Sequence, residues 1–306
     1  MSARANVISH DQHGFCVVLR RLSDPGYAGG AEAKEVPVPI ITVSRGSFSG
    51  GKMLAEAVAQ KLGYRCIDRD QIIQKAEAWG VSQEDLRKAI EKPPTFFGQS
   101  VQTKYVYLAF IQAALTEEVR SGKGVYHGLG AHLLLGKVPH VLRTRIIAPM
   151  EFRIAQVQER FKCIRKEAMD YIEKVDRDRR QWTKFLYDVD WADASLYDLV
   201  LNLEQMSVPE ACDVVCAASQ LKCFEFTPAC QKAIDDLALA SQVKAHLAMH
   251  PATANLQFEI EADGGSVTLK GDVISPDQAR QIRQIVRDVP GVASVELGQL
   301  KLVVHI

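Results

Sequence analysis

The 306-residue chain predicts an α/β domain with a parallel sheet covered by helices on both faces, followed by a smaller α+β module. Three observations carry this expectation. Between about residues 40 and 220, apolar runs of strand length alternate with stretches of helical spacing. One of those strands runs directly into a glycine-rich loop and a helix. After about residue 230 the order changes to helix, two strands, helix, two strands.

Residues 1–35 carry scattered polarity and the stretch "DPGYAGGAEAKE", which predicts a poorly packed lead-in with "FCVVL" as an edge-strand candidate. "VPVPIITVS" reads as a strand, and its branched apolar run suits the centre of a parallel sheet. From Lys52 to Leu62 the apolar residues Met53, Leu54, Ala57, Val58 and Leu62 recur at helical spacing, and Gly63 supplies the stop. A short strand "YRCID" follows, then helices over roughly 70–92, a break at "KPPTFFG", and an amphipathic helix from Tyr105 to Arg120 ended by "SGKG". "VYHGLG" and "VLRTRIIAP" are strands with a helix between them. Helices fill about 150–187, "YDLVLNL" is a strand, and a further helix begins near Val208. Beyond it, "DDLALASQVKAHLAMHP" is a helix and "LQFEIEADGGSVTLKGDVIS" is a hairpin turned by "ADGGS". "PDQARQIRQIVRDVPG" is a helix, and "VASVELGQLKLVVHI" supplies two more strands. The expected division is a lead-in at 1–35, the α/β domain at 36–222, a linker at 223–236 and the small module at 237–306.

With 47% hydrophobic and 24% charged residues, the composition is that of a globular protein. Lys plus Arg and Asp plus Glu both number 37, so nothing global attracts nucleic acid or an anionic membrane, and any phosphate site must be local. No apolar run approaches the roughly 20 residues that span a bilayer, and the amino terminus lacks the features of a secretory signal. A cytoplasmic protein without nucleic-acid partners is expected. The seven cysteines contain no C-x-x-C, which predicts reduced thiols and no metal site, although Cys212 and Cys216 share a helix face.

Gly46 to Lys52 spells G-x-x-x-x-G-K, set between a strand and a helix. In that context loop amides and the helix amino terminus point at bound phosphates. Gly46, Ser47, Phe48, Ser49, Gly50, Gly51, Lys52 and Met53 are therefore the expected donor-phosphate residues, with Lys52 as a point charge on the terminal phosphates. Met53 stands where a Ser or Thr would hold magnesium. The metal is left to Ser47, Ser49, Asp68, or water and substrate oxygens.

The stretches "ITVSRGSFSGGKMLAEAVAQKLGYRCIDRDQI", "VYHGLGAHLLLGKVPHVLRTRIIAPMEFRIAQV" and "VDRDRRQWTKFLYDVDWADASLYDLVLNLEQMS" resemble the cytidylate kinase-like family of P-loop nucleoside monophosphate kinases. The resemblance covers roughly 40–220 and implies transfer of a phosphoryl group from ATP to a pyrimidine nucleoside monophosphate such as CMP or dCMP, with Mg2+. It also implies a basic lid. Residues 160–184 hold nine Lys or Arg against five Asp or Glu, and Arg177, Arg179 and Arg180 are the lid arginines that the resemblance selects. Asp68 ends the "YRCID" strand; it either orients the acceptor or a magnesium-bound water, or caps the helix beginning near Asp70. Where the family shows Gly-Arg for the acceptor phosphate, this chain has Gly128 and Leu129, with His127 and His132 as partial substitutes. An altered acceptor, a weak kinase and a nucleotide-gated sensor all stay open.

From about 237 to 306 the chain resembles a BON domain, on "SQVKAHLAMHP", "EADGGSVTLKGDVISPDQA" and "VRDVPGVASVELGQLKLV". Such domains are associated with membrane-surface or small-ligand binding. This copy has six Lys or Arg against seven Asp or Glu, which favours regulation or sensing of a small ligand or protein over attachment to anionic lipid, with a homo-oligomeric contact as the plain alternative.

Overall fold

The computed structural model describes residues 39–91, 101–128, 130–136, 138–254 and 256–302. The expectations for the lead-in 1–35, the "KPPTFFG" break and Leu129 lie outside the described residues. Within the first domain the elements are β1 (Ile40–Arg45), α1 (Gly51–Leu62), β2 (Arg65–Asp68), α2 (Arg69–Ala76), α3 (Gln83–Glu91), α4 (Val101–Val119), β3 (Gly124–His127), α5 (Ala131–Leu134), β4 (Val141–Ile147), α6 (Met150–Phe161), α7 (Arg165–Tyr187), β5 (Leu199–Asn202) and α8 (Val208–Ser219).

The five strands form one parallel sheet in the order β2-β3-β1-β4-β5. β1 is central, buried from Ile40 to Ser44, as its apolar run predicts. Its residues alternate between two cores. Ile40 joins Ile72, Phe110, Leu115 and Tyr126 on the face covered by α2 and α4, while Ile41 and Val43 join Leu54, Val58 and Val215 beneath α1 and α8. The chain leaves β1 for β2 and β3 on one side and reaches β4 and β5 on the other. A topological switch therefore opens a crevice at the carboxyl end of β1, where open α/β sheets hold ligands.

The second domain contains α9 (Pro228–Met249), β6 (Phe258–Asp263), β7 (Ser266–Val273), α10 (Pro276–Arg287) and β8 (Ser294–Leu302). β7 pairs antiparallel with β6 and parallel with β8. Two sequence expectations change here. Among the described residues, the last segment is one nine-residue strand, not two. Thr268 pairs with Glu296 and Lys270 with Gln299, so Leu297 and Gly298 oppose Leu269 and the apparent turn is absorbed as a bulge. The other change concerns 223–236, where α9 already begins at Pro228. The Thr227 side chain accepts from the Cys230 amide as its N-cap and proline occupies the first helical position, a start signal that the composition of the segment obscures.

The longer helix joins the two domains. One face of α9 puts Ile234 and Ala245 into the core beneath α4, and another puts Val243 and Leu247 into the core of the second domain. Arg120 Nε donates to Asp235 Oδ1 at 2.6 Å, and the His246 ring meets Trp79 edge-on at 4.9 Å. Among the described residues, no helix is long and apolar enough to cross a membrane.

Three buried histidines set an acid limit. His127, His132 and His140 are at most 5% exposed. Each is pulled down to about 4, by burial first, with Arg45 adding for His127 and Arg145 for His132. In the unfolded chain each takes up a proton near the ordinary histidine value of 6.5. Between those limits the unfolded chain binds more protons, so this stability is fully present above about pH 6.5 and is lost as pH falls toward about 4. The melting temperature should fall steeply between about pH 6.5 and 4.5. A flat profile across that window would contradict the neutral assignment.

Candidate active site

β1 delivers Arg45 to the crevice, and the loop turns back through Phe48 at φ 60° and Gly50 at φ 82° before α1 begins at Gly51. Gly50, the N-cap, offers no side-chain acceptor, and no acidic residue sits in the first turn. The first-turn amides of α1 are thus left to an external anion. They face a cleft of about 870 Å³ shared by the loop, the ends of β2 and β3, and the hairpin of α6 and α7. Ser47, Phe48, Gly50, Gly51, Lys52 and Met53 line it. Lys52 is exposed, with Nζ 3.6 Å from Glu56 one turn along, an exposed pair that holds it only loosely.

A model of the cytidylate kinase-like family matches residues 40–205. The chain belongs to the cytidylate kinase-like family. It ends in a BON domain, matched over residues 235–302. Curated relatives include the cytidylate kinase of Methanopyrus kandleri, 27% identical over 188 residues (58% of this chain and 92% of that protein). The cytidylate kinase of Ignicoccus hospitalis is 28% identical over 177 residues (56% and 93%). Among solved structures, the shikimate kinase of Bacteroides thetaiotaomicron aligns at 13% identity and a TM-score of 0.40, over 60% of this chain and 99% of that one; a likeness of that size carries no argument about substrate.

In this cytidylate kinase-like protein the expected site residues separate. Gly46 and Ser49 do not line the cleft. Ser49 is 1% exposed, its Oγ lacks a hydrogen-bond partner, and a Cβ on Gly46 would lie 2.6 Å from that oxygen. Gly46 therefore serves the inward turn of Ser49. Asp68 lines the cleft and also caps α2: its Oδ1 accepts from the Gln71 amide at 2.8 Å, and Gln71 Oε1 accepts from the Asp68 amide at 2.8 Å. Of the three lid arginines, Arg179 lines the cleft, whereas Arg177 and Arg180 are exposed and do not. Arg180 lies 3.9 Å from Asp190 instead. The helix turns Tyr171, Val175, Asp178, Arg179 and Thr183 toward the cleft, a face of helical period that leaves 177 and 180 on its flanks.

Four further residues complete the geometry. Asp176, which the sequence analysis does not single out, accepts from the Ser47 amide at 3.1 Å and from Ser47 Oγ at 2.7 Å. Its other oxygen pairs with Arg153, whose Nε donates to the Ser47 carbonyl at 2.7 Å. Helices α6 and α7 are thereby tied to the glycine loop. Arg45 and Arg69 also line the cleft. Arg45 lies within the quoted loop stretch and is easily passed over because the motif starts one residue later.

Asp176→Ala should leave the Ser47 amide and Arg153 without this partner, at a cost of about 1–3 kcal/mol. We expect a lower melting temperature and faster amide exchange across residues 46–51. Unchanged exchange there would show that Asp176 does not brace the loop.

The described side chains do not form a magnesium site of their own. Ser47 Oγ is engaged by Asp176, Ser49 Oγ is turned away from the cleft, Met53 has no oxygen, and no group of three His, Cys, Asp or Glu among the described residues could hold a metal. Of the two hydroxyls expected as replacements, Ser47 lines the cleft and Ser49 does not. Phosphate oxygens and water, with Ser47 Oγ or a carboxylate such as Asp68, are the donors available to a metal brought in by the nucleotide.

Proposed function

We propose that this protein transfers the terminal phosphoryl group of ATP to a nucleoside monophosphate in the cytoplasm, with CMP or dCMP as acceptor. The observation that carries the reading is the sharing of one cleft by the uncapped amino terminus of α1, Lys52 and four arginines, Arg45, Arg69, Arg160 and Arg179. The curated cytidylate kinases support the choice of acceptor. An oxygen of the acceptor phosphate is already anionic, so no proton must be removed before it attacks. The new O–P bond forms in line as the bond from the terminal phosphorus to the bridging oxygen breaks, and the diphosphate leaves with that electron pair. The chemistry asks for positioning and charge neutralisation. Loop amides and Lys52 would hold the donor, Arg179 would meet the transferring group, and Asp68 would order the acceptor side.

The BON domain would regulate this cleft through α9. Contact continues from α2 through Trp79 to His246, and the helix itself belongs to both cores. A second reading, a nucleotide-binding regulatory protein whose first domain gates the BON domain, is favoured by Met53 and by the engagement of the Ser47 amide by Asp176. Incubation with ATP, magnesium and a panel of nucleoside monophosphates separates the two. Diphosphate product with CMP or dCMP supports the kinase; thermal stabilisation by ATP without product from any acceptor selects the regulator.

A further inference from the structure

We infer that Arg45, held in place by His127, grips the acceptor phosphate opposite Arg179, an assignment that rests on the proposed phosphoryl transfer and names the residue that fixes its second substrate. Arg45 is the last residue of β1, and its backbone is fixed by parallel pairing with Ile146. Its side chain lies across Gly51: a Cβ there would stand 2.6 Å from Arg45 Cδ. The stem thus passes over the start of α1, and Arg45 Nη1 donates to His127 Nδ1 at 2.9 Å. That contact makes Nδ1 an acceptor. The neutral ring that burial enforces matches it, because an imidazolium has no acceptor to offer.

A guanidinium carries five N–H donors in a planar fork, and this bond uses one. Among the described residues, no carboxylate pairs with Arg45 or with Arg179. Arg179 Nη1 donates to the carbonyl of Arg45 at 3.1 Å, so the Arg179 guanidinium is held against the backbone of the residue that carries the other. Arg69 adds positive charge nearby. Burial, and then the neighbouring arginines, depress both Arg45 and Arg179, the latter to about 10. Of the carboxylates nearby, Asp68 caps α2, Asp70 lies 3.1 Å from Arg87 and 3.8 Å from Arg69, and Asp176 holds Ser47 and Arg153. A partly desolvated cluster of this kind is stabilised by an anion that accepts from more than one fork, and a phosphomonoester dianion does so.

The position selects the acceptor over the donor. His127 ends β3 and pairs in register with Asp68 at the end of β2. The guanidinium is therefore anchored by a residue on the β2–β3 side of the cleft, where it reaches from the start of α1 toward the ends of those two strands.

The test is calorimetric titration of the full chain with CMP, with cytidine and with a non-hydrolysable ATP analogue. Arg45→Ala should weaken CMP by about 10- to 100-fold, as loss of hydrogen bonds to a charged group does, while cytidine and the ATP analogue change little. Arg45→Lys, which keeps charge but loses the fork, should recover only part of the loss and guards against a folding defect. His127→Ala should weaken CMP by a smaller factor. Equal CMP affinity in wild type and Arg45→Ala, an equal loss for cytidine, a loss confined to the ATP analogue, or no CMP binding by the wild type would each overturn the assignment. Arg45-dependent CMP binding without formation of CDP would leave it standing and remove the kinase reading instead.

Discussion

Lys52→Ala is expected to lower turnover by about 10²–10³-fold, the scale on which a single charge-stabilising group acts. The fold should be unaffected. Lys52 lies in the first turn of α1 and lines the cleft, and its only ion pair among the described residues is the exposed 3.6 Å contact with Glu56. Such pairs contribute about 0.3–0.5 kcal/mol, so the melting temperature should stay within about 2 °C of wild type. The required measurement is kcat beside a thermal melt of the same preparation. Undiminished turnover would remove the phosphate loop from the mechanism, and a collapsed melt would make Lys52 structural.

Arg179→Ala should cost about as much, and here the structure departs from the sequence expectation. Arg179 lies in the cleft and is tied to the Arg45 carbonyl at 3.1 Å. Arg177 and Arg180 sit on the flanks of the same helix and are exposed. We expect a fall of about 10²–10³-fold in kcat/KM for Arg179→Ala. The same change at Arg177 should cost no more than a fewfold. Steady-state kinetics on both variants decide the matter. Equal losses at 177 and 179 would mean that the lid engages substrate through a different helical face.

What the sequence makes legible is local. The run from Ile40 to Leu62 announces strand, loop and helix because apolar period, glycine placement and the stop at Gly63 all lie within one stretch. β8 and the start of α9 are harder. The first depends on whether a Leu-Gly pair bends into a turn or is carried as a bulge against β7, which only the partner strand decides. The second has a local signal, Thr227 followed by Pro228, inside a segment whose composition resembles a linker.

The candidate site divides in the same way. Loop residues from Ser47 to Met53 that reach the cleft are readable from the motif, but Asp176 meets Ser47 across 129 positions of sequence and Arg45 meets His127 across 82. No spacing rule connects such residues, because topology brings them together. The separation of Arg179 from Arg177 and Arg180 is hidden for a related reason. The basic excess in residues 160–184 identifies the helix but not the face that packs inward.

The central claim is that this cleft moves a phosphoryl group from ATP to a nucleoside monophosphate. Phosphorus NMR of the wild-type protein with ATP, magnesium and CMP follows donor and acceptor in one sample. The account predicts ADP and CDP appearing together in equal amounts, with no phosphate released. ADP accompanied by inorganic phosphate and unchanged CMP, or bound ATP that is not consumed with any monophosphate acceptor, would contradict it.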